Sequence, residues 1–356
     1  MELNQLREKI LSFSLDDGPR GNQGYSRVLL QLFGYMGHGK SSFINSCKYV
    51  LEDSETLTPY AEAGETEDDG AMTTIRAAYD LTENITMVDN RGYKFMDSFE
   101  RAEIYAQLGN FIPIGEKVEW TGNYTAMMHR LEDAELNPNY SDFIVPILIY
   151  SATCCLSNRK EVQTFMDNCV KMTGVVPIII ITKKKSGDFI KIEKQFKLMG
   201  AEVITAIENY TNEDQNKTLG RTKDILMVIH RALADVTFHL GQKRNSQRDW
   251  RERKKFLLEY IHKSDLEKKE EERKKEDIKR GKDREKQKER RREEKNITEE
   301  MLRTFDVWKR PEVRKREEEE RREEERWREE ARKREEEERR VEERRREEND
   351  PSCIVA

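Results

Sequence analysis

Short apolar runs alternate with amphipathic stretches through the first two-thirds of the chain, and then the alternation stops. Residues 27–33 (RVLLQLF) are almost continuously apolar, which fits a strand buried on both faces of a parallel sheet. A helix is expected over 40–51, after the Gly-rich turn that follows this strand. TTIRAAYDL and NITMVDNRG predict two strands around the turn TEN, and DFIVPILIYSAT, VVPIIIIT and AEVITAI predict three more. RKEVQTFMDNCVKM, GDFIKIEKQFKLM and TKDILMVIHRALADVTFHL read as helices. This order predicts an α/β fold with a doubly wound, mostly parallel sheet. Residues 52–72 are polar and without period, so they read as a mobile loop, and FIPIGEKVEWTGNY within 93–141 reads as a loop insertion.

The remaining segments differ in kind. Residues 1–26 predict a short helix and a Gly/Asn/Pro loop, ahead of a domain over 27–240. From about Gln242 Lys, Arg and Glu dominate, so only the earlier part holds enough apolar residues for a sizeable core. Residues 241–310 read as a charged helical region in which Gly281 weakens any single long helix, and Pro311 is well placed to open a new one. Over 311–349 Glu and Arg recur at i and i+4, as in Glu317–Arg321, Glu318–Arg322, Glu324–Arg328, Glu335–Arg339 and Glu336–Arg340. Each such pair stabilises a helix by about 0.2–0.5 kcal/mol, enough in series for a helix to stand without a core. Val313, Trp327 and Val341 are spaced by two heptads, so a coiled coil competes with a single charged helix.

The charges nearly cancel, 66 Lys and Arg against 71 Asp and Glu, for a net charge of −5. That balance does not point to nucleic acid as a partner. Five cysteines, none in a metal-binding spacing, suit a reducing compartment. The opening MELNQLREKILSF is amphipathic and charged, unlike a signal peptide, and the chain is expected in the cytoplasm.

The chemistry begins at Gly34, where GYMGHGKSS has the spacing G-x-x-x-x-G-K-S between a predicted strand and a predicted helix. Such a turn exposes successive backbone N–H groups to phosphates, and the helix N-terminus adds partial positive charge. Gly34, Gly37, His38, Gly39, Lys40, Ser41 and Ser42 are the candidate phosphate binders, with Lys40 reaching the terminal phosphates and His38 contributing only its backbone. Ser41 would ligate Mg²⁺ together with Asp89, which opens D-x-x-G at a strand end, where the Gly92 N–H would meet the γ-phosphate. Thr74, with Thr73 as the alternative, would close over the metal. The final Cys353-Ile354-Val355-Ala356 is a C-a-a-X ending, and Cys353 the candidate prenylation site.

The order G-x-x-x-x-G-K-S, T-T, D-x-x-G and IIIITKKK resembles the GTPase branch of phosphate-loop proteins. GHGKSSFINS, ENYTNE and TKDILMVIHRALADV resemble the interferon-induced protein 44 family over about residues 25–240. The charged helix with its terminal C-a-a-X resembles guanylate-binding proteins, although here it is shorter and more polar. These resemblances imply a G domain holding GTP or GDP with Mg²⁺, with Thr182 and Lys183 near the base. The expected roles are a slow GTPase switch or a self-assembling GTPase, partly bound to membrane through a prenyl group. The alternatives are a non-hydrolysing scaffold whose charged helix binds protein partners, or an ATP-binding protein. The pattern departs from typical GTPases in two places. Lys185 stands where a base-reading aspartate is usual, with Asp188 three residues later, and Tyr93 follows D-x-x-G where glutamine often orients water.

Overall fold

The computed structural model describes residues 2–61, 74–118, 123–136, 141–308 and 311–348. Two compact units divide the chain, Met1–Lys269 and Glu270–Ala356.

The first unit is built on six strands: β1 (Arg27–Phe33), β2 (Ala77–Asp80), β3 (Ile85–Asp89), β4 (Asp142–Ser151), β5 (Ile178–Thr182) and β6 (Val203–Ala206). Their order in the sheet is β2-β3-β1-β4-β5-β6. All neighbours are parallel except the edge pair β2–β3, which is antiparallel in the register Ala77↔Asp89 to Asp80↔Thr86. The strands are apolar on both faces because helices cover both. Val145, Ile147 and Ile149 of β4 and Ile178 and Ile180 of β5 face one core, and the intervening Ile144, Leu148, Ile179 and Ile181 face the other.

On the first face lie α1 (Leu3–Leu11), α2 (Lys40–Leu51) and α7 (Leu219–Leu240). Leu6 and Ile10 of α1 are fully buried, so the segment before β1 belongs to the core. The second core takes its helical residues from α3 (Ser98–Leu108), α4 (Tyr124–Leu136), α5 (Arg159–Thr173), α6 (Phe189–Leu198) and the start of α8 (Ser246–Trp308). Residues 93–141, to which the sequence pattern assigned only the FIPIGEKVEWTGNY loop, contain two helices. Ala102, Tyr105 and Leu108 of α3 and Met127 and Leu131 of α4 are buried, and this tertiary burial outweighs the weak local pattern. Of the expected insertion, residues 111–118 are irregular, while 119–122 lie outside the described residues.

The compact unit also extends past the change in composition. Trp250, Leu257 and Ile261 of α8 are buried among otherwise charged neighbours, with Trp250 5.7 Å from Phe111 and Tyr260 4.9 Å from Tyr105 between ring centroids.

In the second unit α8 continues helical through Gly281, which was expected to weaken it. Glycine costs a helix about 1 kcal/mol relative to alanine, and the surrounding Lys, Glu and Arg are strong helix formers. Glu276–Arg280 pairs across one turn just before it. The last helix, α9 (Pro311–Glu348), starts on the proline. Glu324–Arg328 and Glu336–Arg340 pair as the spacing predicts, joined by Glu329–Lys333 and Glu330–Arg334. Val313, Trp327 and Val341 are exposed.

Candidate functional site

The chain leaves β1 at its C-terminal end, where β1 stands between β3 and β4. Connections depart in opposite directions there, and ligands of open α/β sheets bind at such crevices. Gly34 presses so closely on the Ile149 carbonyl that a Cβ would collide with its oxygen. Gly37 and Gly39 have φ of 71° and 90°, a conformation that side chains resist. Gly39 is the N-cap of α2, and no side chain caps the helix. Its first N–H groups, including those of Lys40, Ser41 and Ser42, have no intrahelical acceptor.

Lys40 lies beneath this loop, only 7 % exposed. Its Nζ donates to the carbonyls of Gly34 and Tyr35, both at 3.3 Å. Burial lowers its pKa, opposed by the Asp89 charge. An ammonium held by carbonyls in so dry a place gains strongly from an arriving anion.

Asp89 ends β3 and is 1 % exposed, and the Ser41 hydroxyl donates to its Oδ2 at 2.6 Å. The following turn runs beside the loop: Met36 N–H donates to the Tyr93 carbonyl, and Tyr35 and Tyr93 form a parallel bridge. Gly92 sits so near Lys40 that a Cβ there would be 2.9 Å from Nζ. Residues from 34–42 and 89–92 thus converge on one point. Backbone donors, a buried ammonium and a hydroxyl–carboxylate pair suit a polyanion with a hard divalent cation.

His38 is directed away from that point, into the body of the protein. Its Nδ1 accepts from the Ser151 N–H at 3.2 Å, and its carbonyl accepts from the Thr182 hydroxyl at 2.8 Å. Burial, then the charges of Lys40 and Lys183, lower its pKa to about 3, so the ring is neutral.

The Thr74 carbonyl accepts from Val118 N–H at 2.9 Å, and among the described residues no hydrogen bond joins Thr74 to Ser41 or Asp89. Thr73, within the 62–73 stretch, and Cys353 lie outside the described residues. Arg91 turns away and donates to the Val118 carbonyl. Tyr93 is fully buried with its ring 4.6 Å from that of Tyr35.

The lysine turn after Thr182 lies at the ends of β5 and β6. Lys183 takes a positive φ of 55°. Lys185 pairs outward with Asp214 at 3.5 Å, and the Asp188 carboxylate caps α6 by accepting from Lys191 N–H at 3.1 Å. The carboxylate at this turn belongs to Glu208, whose Oε2 accepts from the Lys185 N–H at 2.7 Å. Beside it, Asn209 donates through Nδ2 to the Gly39 carbonyl at 3.1 Å. Both lie within ENYTNE, but the sequence pattern gave neither a role near the loop. Their signal was position, directly after the last strand of a parallel sheet. Arg76, also missed, is fully buried and donates to Asn90 at 3.0 Å, tying the segment after Thr74 to the Asp89–Gly92 turn.

Among the described residues no cluster of three or more His, Cys, Asp or Glu is arranged to hold a metal, and no helix is long and apolar enough to cross a membrane. No protein-family model and no curated protein matches the chain. Among solved structures, a protein from Thermus thermophilus is similar at 15 % identity over 50 % of this chain and 22 % of that one, with a TM-score of 0.28.

Proposed function

We propose that the first unit is a phosphate-loop G domain that binds GTP and GDP with Mg²⁺ and hydrolyses GTP slowly. The observation that carries this reading is the convergence of Lys40, Gly92 and the Ser41–Asp89 pair at one Gly-rich loop. The loop N–H groups and Lys40 would hold the β- and γ-phosphates, and the Gly92 N–H would meet the γ-phosphate. Ser41 and Asp89 would hold Mg²⁺, which when bound neutralises phosphate charge, and Thr74 or Thr73 would add to that shell.

Tyr93 supports slow turnover. Its ring is packed inside the protein, so that position offers no side chain to orient a water. The same observation favours a second reading, a nucleotide-bound scaffold that does not hydrolyse and acts through its charged helices.

Calorimetry with Mg·GTP on purified protein and on Lys40→Ala tests the central claim. Binding is expected for wild type and lost in the variant, and equal affinity would overturn the reading. Phosphate release no faster than in Lys40→Ala would select the scaffold. Chromatography of nucleotide released from the purified protein distinguishes guanine from adenine.

For membrane attachment we propose prenylation at Cys353, a single weak anchor reinforced when several chains assemble. Cys353→Ser is expected to move the protein from the membrane to the soluble fraction of expressing cells. Equal fractions would exclude the anchor.

A further inference from the structure

We propose that Glu208 reads the guanine base, replacing the aspartate that the 182–185 turn lacks. The inference rests on the nucleotide-binding reading above and deepens it. Guanine presents two adjacent donors, the ring N1–H and the exocyclic amino group, and a carboxylate is the side chain that accepts both at once. Position 185 cannot supply it, because Lys185 is a cation directed to Asp214. Asp188 cannot supply it either, since its carboxylate is engaged at the start of α6.

Glu208 fills the gap from the neighbouring strand end. Its Oε2 lies 2.7 Å from the backbone nitrogen of residue 185, at the root of the side chain that would otherwise carry the acid. Its Oε1 makes no hydrogen bond among the described residues. The turn is held against β6 by a second bond, Lys184 N–H to the Ile207 carbonyl at 3.3 Å. Arg221 fixes the other side, donating to the Glu208 carbonyl at 3.0 Å and to the Asn209 carbonyl. The carboxylate is therefore mounted on a rigid backbone rather than on a free loop.

The same wall reaches the phosphate loop. Asn209 donates to the Gly39 carbonyl, and Thr182 to that of His38. Asn209 is 8 % exposed, and its Oδ1 is buried without a hydrogen bond among the described residues. An amide oxygen buried beside the loop retains the capacity to accept one more hydrogen bond. A nucleoside extending from phosphates on 34–41 along Thr182–Lys183 would direct its base toward the strand end that carries Glu208.

The test uses the full chain, titrated by calorimetry with Mg·GTP, Mg·XTP and Mg·ATP. Xanthine carries a carbonyl where guanine has its amino group, so a carboxylate repels it and a carboxamide can donate to it. Wild type should prefer GTP over both others. Glu208→Gln keeps an acceptor for the Lys185 N–H, so the turn is preserved, and it should lose roughly 10- to 100-fold in GTP affinity while gaining XTP affinity. Glu208→Ala should lose GTP affinity to a similar degree and leave the weaker ATP binding unchanged. An unaltered GTP-to-XTP ratio in Glu208→Gln would overturn the assignment. So would equal wild-type affinity for ATP and GTP, and in both cases binding that still requires Lys40 leaves the phosphate-site reading standing. Absence of any nucleotide binding by wild type would remove both.

Discussion

The Ser41 hydroxyl donates a 2.6 Å hydrogen bond to Asp89 Oδ2 across 48 positions of sequence. The bond places a short alcohol and a buried carboxylate side by side, two oxygen ligands of the kind Mg²⁺ takes. Asp89→Asn retains an acceptor for Ser41 but removes the charge. It should weaken Mg·GTP binding by about tenfold or more and flatten its dependence on Mg²⁺ concentration, while GDP binding in chelator changes little. Isothermal titration across a Mg²⁺ series measures this, and a variant with wild-type Mg²⁺ dependence would dissociate Asp89 from the metal.

Gly34 and Gly37 should respond differently to the same substitution. A methyl at 34 meets the Ile149 carbonyl, so Gly34→Ala must displace β4 or the loop and should destabilise the fold by about 1–3 kcal/mol. A methyl at 37 meets nothing within 4 Å, leaving only the positive φ to oppose it, at about 1–2 kcal/mol. Gly37→Ala should therefore fold, and its defect should appear in nucleotide affinity. Urea unfolding and calorimetry on both variants separate steric from ligand-directed glycines.

His38 should make stability depend on pH. An unfolded histidine titrates near 6.5, whereas burial holds the folded ring at about 3. Between these values the unfolded chain binds a proton that the folded protein refuses. The stability is thus fully present above pH 6.5 and is lost as pH falls toward 3, at about 1.4 kcal/mol per unit. From pH 6.5 to 5 the loss from this residue should be about 2 kcal/mol. His230 and His239 are also shifted down by burial, so the measurement is the difference between wild type and His38→Asn. Parallel curves from pH 7.5 to 5 would exclude His38 as the source.

The α9 segment, residues 311–348, should be helical and monomeric as a peptide at micromolar concentration. Its described ion pairs are exposed and lie between 3.3 and 3.9 Å, so salt should reduce helicity only modestly. Circular dichroism across a salt series and sedimentation check both points. A concentration-dependent dimer would instead favour the seam of Val313, Trp327 and Val341.

The legible parts of the sequence were those in which local pattern and tertiary burial agree. RVLLQLF, the glycine spacing and the α2 residues announce β1, the loop and their order, because each has its own short-range signal. Helices α3 and α4 were not legible, since their apolar residues face a core assembled from β4, α5 and α8 and are interrupted by charges on the way. Glu208 was hidden for a different reason. Its relation to residue 185 spans 23 positions and exists only because β6 lies beside β5. Asp188, nearer in sequence, is occupied as a helix cap.

The aromatic seat of α8 has a practical consequence for anyone dividing this chain. Composition invites a cut near residue 240, where apolar residues thin out, yet Trp250 rests on Phe111, and Phe256 and Tyr260 rest on Tyr105. A fragment ending at 240 would uncover that floor of rings and carry a sticky surface absent from the intact protein, so its poor solubility would be an artefact of the scissors. The natural place to separate the units lies near residue 269, a full turn or more beyond the last buried apolar residue, Ile261, inside a helix that gives no outward sign of a border.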